Sequence, residues 1–234
     1  MKKLIILLTL VITSNQLLAQ NIEHSIWTVF LQKYVSNSGH VDYKSISTNK
    51  SELNNYLNQF VDASPNENWT KQEKLAYWIN TYNAFTIKLI IDNYPVTSIK
   101  DIKSPWDQEF IPINGEMISL NHIEHKILRN MNEPRIHFAI VCASESCPKL
   151  LNEAFVANKL EDQLTHATKA FLSDETKNQI TENKLELSKI FKWFSKDFNQ
   201  QGSLIDFLNQ YTDVEISENA KIKYLDYSWE LNGK

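Results

Sequence analysis

The chain has 234 residues, with 24 basic against 28 acidic side chains and no basic cluster, a balance that disfavours nucleic acid or an anionic membrane as partner. Only 4 glycines and an aromatic share of 11% describe an ordered, helix-rich globule without repeats or low-complexity segments, and 2 cysteines are too few for a disulfide scaffold.

Met1-Lys-Lys3 and the apolar run Leu4–Ile12 form a basic n-region and a short h-region. Cleavage is expected after Ala19, although Leu17 is larger than the usual small residue. The run is too short to span a membrane, so residues 1–19 read as a secretory signal peptide. Residues 20–234 read as a single globular domain, exported to the periplasm or secreted. Taking Lys2 and Lys3 from the 24 basic residues leaves 22 against 28 acidic, a formal charge of −6. No second long apolar segment follows, so the mature chain should have no membrane span. An oxidising compartment permits one bridge between the two cysteines.

Ile22, Ile26, Trp27, Val29, Phe30 and Tyr34 mark a first helix, Asn37–Tyr43 a loop or short strand, and Leu53, Tyr56, Leu57 and Phe60 a second helix. Asp62–Asn68 is turn-rich. The third helix is bounded by a capping box, Thr70 with Glu73, and by Pro95. Leu75–Ile91 is apolar nearly all round, which places this helix in the middle of the fold. Asn80 and Asn83 share a stripe of it with Ile87. Buried amides need partners, either neighbouring loop backbone or a ligand or oxyanion.

Phe110–Ile118 predicts a hairpin around Asn114-Gly115. Ser119 or Asn121 then caps a helix through Met131 with an apolar face of Leu120, Ile123, Ile127, Leu128 and Met131. Glu124 falls inside that face, His125 at its edge, and His122 and Arg129 opposite. An inward carboxylate must be paired or shift its pKa, so an ion pair with Arg135 and a catalytic role both stand.

Further helices are expected around Leu160–Phe171, after Ser188 and after Ser203, with a short strand at Lys184–Leu187. Near the end, Ile222, Tyr224 and Asp226 share one strand face, so Asp226 points inward or closes the strand in an Asx turn.

Arg135–Leu150 holds both cysteines. Its apolar run 136–142 reads as a buried strand, with Arg135, His137, Ala139 and Val141 on one face and Ile136, Phe138, Ile140 and Cys142 on the other, a core face. Pro148 suits a first helical position, so Cys147 should sit at a helix N-terminus, where the dipole favours a thiolate.

Five segments taken in order, Tyr77-Trp-Ile-Asn-Thr-Tyr-Asn-Ala84, Ser119-Leu-Asn-His-Ile-Glu-His125, Arg135-Ile-His-Phe138, Cys142-Ala-Ser-Glu-Ser-Cys-Pro148 and Asp226-Tyr-Ser-Trp-Glu-Leu-Asn232, resemble the domain of unknown function 547 family. The resemblance runs from about the third helix to the C-terminus. Ser146 stands where the family more commonly has glycine, and the family implies no established activity.

The expected fold class is α+β, a helix-rich single domain around a small β-sheet, with a fold-level analogy of residue order to papain- and transglutaminase-like folds. Two functions compete. In a cysteine-dependent hydrolase or acyl transferase, Cys147 is the nucleophile, His137 or His125 the base, and Glu124 or Asp226 its orienter. Asn80, Asn83, Arg135 and Asp226 are then the candidate substrate-binding residues. In the papain-like order Asn80, His137 and Asp226, asparagine replaces the nucleophile, which would make the chain an inactive relative.

The second function is a non-catalytic exported binding or interaction module for a small molecule or peptide, with structural cysteines. A bridge between them needs Cα atoms roughly 4.4–6.8 Å apart. No metal or cofactor is implied: His122-x-Glu-His125 lacks a matching Pro-Cys-x-x-Cys, and phosphate loops and Gly-x-Ser-x-Gly elbows are missing.

Overall fold

The computed structural model describes residues 22–61 and 63–233, and the expected signal peptide lies outside them. Helices α1 (His24–Tyr34), α2 (Tyr43–Thr48) and α3 (Ser51–Leu57) pack around the long α4 (Lys71–Asn93). The capping box is present: Thr70 Oγ1 accepts the Glu73 N–H at 3.2 Å and Glu73 Oε2 accepts the Thr70 N–H at 2.7 Å. Helix α4 stops before Pro95 and is buried on every side through its middle, as its apolar girth requires. Its neighbours interlock through rings, with Trp27 stacked on Tyr56 at 5.0 Å and Phe60 edge-on to Tyr77 and Phe85.

The hairpin β1 (Ile111–Ile113) and β2 (Glu116–Ile118) turns through Asn114 and Gly115, with φ of 50° and 81°, the paired positive values that Asn-Gly tolerates. The next helix is a π-helical turn, His122–Leu128, followed by a 3₁₀ turn, Arg129–Met131. Ser119 Oγ accepts the His122 N–H at 3.1 Å. Leu120, Ile123, Glu124 and Leu128 face inward and His122 faces solvent, as the helical pattern predicts.

The strand expected at 136–142 does not form. Pro134 opens a 3₁₀ helix, Pro134–Phe138, whose first turn is capped by Glu133 accepting the Arg135 N–H at 3.2 Å. There are no alternating faces, since Arg135, Ile136, His137 and Phe138 are all buried. Beyond it, backbone groups that a sheet would have paired are taken by the Asn83 side chain. Its Nδ2 donates to the Ala139 carbonyl at 2.9 Å and its Oδ1 accepts the Val141 N–H at 2.9 Å.

No helix follows Cys147 either. Pro148 fixes only its own φ, and the preceding loop is already committed, with Glu145 and Ser146 N–H groups donating to the Glu230 and Ser228 carbonyls. The chain remains non-helical until the 3₁₀ turn Ala157–Lys159, which leads into α5 (Leu160–Leu172).

A three-stranded sheet of order β3-β4-β5 follows from β3 (Gln179–Ile180), β4 (Lys184–Leu187) and β5 (Lys221–Tyr224), with β4 antiparallel to β3 and parallel to β5. With α6 (Ile190–Trp193), α7 (Ser195–Phe198) and α8 (Leu204–Asn209) it closes a second apolar cluster around Phe138, Phe171, Phe191 and Phe198. The fold is therefore the expected helix-rich α+β class with small sheets. No helix among the described residues is long and apolar enough to cross a membrane. Residues 228–233 run back as a strap: Ser144 bridges Leu231, Val41 bridges Gly233, and the Leu231 N–H donates to the Thr97 carbonyl at 3.0 Å.

Candidate functional site

A cavity of about 210 Å³ opens where the π turn, the Cys142–Cys147 loop, α6 and the strap meet. Its wall is aromatic: Tyr227 lies 4.8 Å from Trp193 and 4.7 Å from Trp229, and Trp106 meets Trp229 edge-on at 5.6 Å. The Lys100 ammonium sits over the Trp229 ring at 3.9 Å, so this wall already holds one cation against an aromatic face.

Glu124 lines the cavity from the π turn at 7% exposure. Tyr82 of α4 donates to its Oε2 at 3.2 Å, while Oε1 takes no hydrogen bond among the described residues. Burial raises its pKa to about 7, against the opposing pull of the Tyr82 hydrogen bond and the Arg129 charge.

Beside it Arg129 forks onto Asp197, Nε to Oδ2 at 2.6 Å and Nη2 to Oδ1 at 2.9 Å, and His137 Nε2 donates to the same Oδ2 at 2.8 Å. Burial alone would raise the Asp197 pKa, but hydrogen bonds and charge from His137 and Arg129 hold it well below the usual carboxylate range. Burial lowers the pKa of His137, whose ring stacks on Phe194 at 3.9 Å. Arg129 Nη1 donates to His125 Nδ1 at 3.2 Å, which leaves that ring's proton on Nε2, and burial also lowers the His125 pKa.

Opposite Glu124, Cys142 and Cys147 form a disulfide with Cα atoms 6.4 Å apart, and both line the cavity. Cys147 Sγ accepts the Cys142 N–H at 3.1 Å and the Tyr227 O–H at 3.2 Å, and Ser144 Oγ in turn donates to Tyr227 Oη at 3.0 Å. Ala143, inside the loop, takes a left-handed φ of 58°.

Of the residues expected to form a catalytic set, Glu124, His125, His137 and Cys147 do converge on one cavity. They do not form a nucleophile and base: Cys147 has no thiol in the disulfide, lies at no helix N-terminus, and is hydrogen-bonded by no histidine among the described residues. The residues expected to bind substrate are engaged elsewhere. Asn80 Nδ2 donates to the Phe155 carbonyl at 2.8 Å and its Oδ1 accepts the Phe155 N–H at 3.0 Å, so like Asn83 it is spent on loop backbone.

Arg135 pairs with Glu133 and Glu161 rather than Glu124, at 2.7 Å to Glu133 Oε2 and 2.9 Å to Glu161 Oε2, and these raise its pKa further. Asp226 is fully exposed and bound to Lys189 at 3.0 Å, because β5 ends at Tyr224 and its first residues have solvent on both faces. Asn80, His137 and Asp226 therefore hold three separate sets of partners, and the papain-like constellation is not formed.

Sequence reasoning missed Tyr82, Tyr227, Trp193, Trp229 and Asp197. The one available signal was the pairing of two aromatic-rich segments, Phe191–Phe194 and Tyr227–Trp229, late in the chain. Neither the curated proteins nor the solved structures contain a match to the chain. Residues 66–172, from the connection before α4 through α5, match the family model described as "Protein of unknown function, DUF547".

Proposed function

We propose that this protein is an exported ligand-binding module whose cavity takes a small molecule with a flat apolar face and a protonated amine. The observation that carries this reading is Glu124: a carboxyl buried beside an aromatic wall, one oxygen of which meets no donor among the described residues. An apolar cavity disfavours the lone carboxylate. An arriving ammonium supplies the missing charge and donor, and the faces of Trp193, Tyr227 and Trp229 favour the same cation. Arg129 does not compete, because Asp197 already takes it in a bidentate pair.

Export rests on the basic and apolar leader at residues 1–12, and the disulfide suits an oxidising compartment. Binding is favoured over cysteine hydrolysis because both sulfurs are bonded to each other.

The reading predicts proton-linked binding. Below the Glu124 pKa of about 7 the incoming ammonium displaces a proton, and above it does not. Phenethylamine titrated calorimetrically at pH 6 in two buffers of different ionisation enthalpy should release close to one proton, and phenethyl alcohol should bind at least about tenfold more weakly, as the loss of one desolvated charge contact requires. Equal binding of amine and alcohol, or of the amine to Glu124→Gln and wild type, would sink the proposal.

A further inference from the structure

We propose that the Cys142–Cys147 bridge is a redox couple that oxidises a dithiol, with Cys142 as the sulfur attacked and Cys147 as the leaving thiolate. This activity uses the sulfur side of the cavity and stands apart from the ammonium reading.

Three observations carry it. The bridge faces the cavity, where Cys142 is partly exposed while Cys147 is 4% exposed, so an incoming thiolate reaches Cys142 first. The buried sulfur is also the better provided with donors: the Cys142 N–H reaches it alone at 3.1 Å, and the Tyr227 and Ser144 hydroxyls both lie 3.2 Å from it, against 3.4 and 3.3 Å from Cys142 Sγ. A disulfide sulfur is a poor acceptor and a thiolate a strong one, so this cage stabilises the product of opening more than the closed bridge.

The loop, moreover, does not depend on the bridge for its shape. Glu145 and Ser146 N–H groups donate to the strap at 2.7 and 3.3 Å, Asn232 N–H donates to the Ala143 carbonyl at 3.2 Å, and Asn83 holds the chain on the other side at Val141. A crosslink closing so short a loop also removes little entropy from the unfolded chain. The surroundings therefore fit reversible opening better than a structural staple.

In the first step a thiolate of the dithiol bonds to Cys142 Sγ and the Cys142–Cys147 bond breaks, its electron pair leaving on Cys147 Sγ. The second thiolate of the same dithiol then attacks its own sulfur in the mixed disulfide and expels Cys142. The dithiol ends as a cyclic disulfide, the protein gains two electrons, and the two protons pass to the cysteines or to water. An oxidised low-molecular-weight disulfide restores the bridge by the reverse exchange.

The test is a redox titration of the intact protein at pH 7 with dithiothreitol as the dithiol, followed by tryptophan fluorescence and by thiol counting. Opening without loss of circular dichroism, and closure on addition of oxidised glutathione, is the expected result. A bridge that opens only in denaturant, or whose opening unfolds the chain, overturns the proposal.

Three variants test the division of labour. Reduced Cys147→Ser should form a mixed disulfide with oxidised glutathione at least about tenfold faster than reduced Cys142→Ser, following access to the sulfur. In reduced wild type the alkylation pH profile of Cys147 should have its midpoint below the ordinary thiol value of about 8.5, and Tyr227→Phe should move it upward. Equal trapping rates, or a profile unmoved by Tyr227→Phe, count against the assignment. The wild-type titration decides the matter even where a variant fails to fold.

Discussion

Two buried polar groups of this molecule, Asn83 and Glu124, lie on neighbouring elements and have opposite accounts. Asn83 spends both ends of its amide on backbone, the Ala139 carbonyl and the Val141 N–H, and so replaces the strand partner that residues 139–141 lack. Glu124 lines the cavity and receives one hydrogen bond, from Tyr82, with no donor to its other oxygen among the described residues. A saturated buried group supports the fold; an incompletely satisfied one lowers stability and gains an open valence for a ligand.

The contrast can be broken at either end. The largest effect is expected from Asn83→Ala, which strands an N–H and a carbonyl together and should cost about 4 kcal/mol in urea or thermal unfolding. Loss of less than about 1 kcal/mol would mean that water replaces the amide and that the saturation is incidental.

Glu124→Gln should go the other way. The folded carboxyl is raised to about 7 from its ordinary 4.5, so its contribution is fully present below 4.5 and is lost as pH rises through 7. At pH 8 the ionised, buried group disfavours the native state by about 3 kcal/mol relative to pH 4. The variant should therefore unfold later than wild type at pH 8 and alongside it at pH 4. Parallel stability curves across that range would show that Glu124 is already solvated or paired.

The smallest effect belongs to Asp226→Ala. Its carboxylate stands in solvent on Lys189, so phenethylamine affinity should be unchanged within error. A marked loss would restore Asp226 to the site.

Patterns local in sequence were legible. The capping box and Pro95 bound α4, Asn114-Gly115 turned the hairpin, and helical periodicity turned Glu124 inward. What failed was non-local. The run 136–142 has strand composition, yet its backbone is paired by a side chain from α4, and no pattern in the run itself encodes that. Pro148 could have opened a helix, but the loop before it was already bonded to residues 228 and 230. Strand parity for Asp226 presumed a buried face, but residues 221–223 are exposed on both faces and the strand ends at Tyr224. Asp197, the shared acceptor of Arg129 and His137, lies 68 and 60 residues from them, a separation that periodicity cannot span. The family match ends at residue 172, so the aromatic wall of Trp193, Tyr227 and Trp229 is supplied by chain beyond it.

The strap has a consequence for biogenesis. Tyr227 follows Cys147 by 80 residues, and residues 228–232 then clamp the cysteine loop from outside. Under the proposed export, a chain emerging from its N-terminus brings out both thiols well before their hydroxyl donor and their clamp. In that order of emergence the bridge is free to form before the cavity closes around it, in surroundings unlike those the sulfurs later occupy.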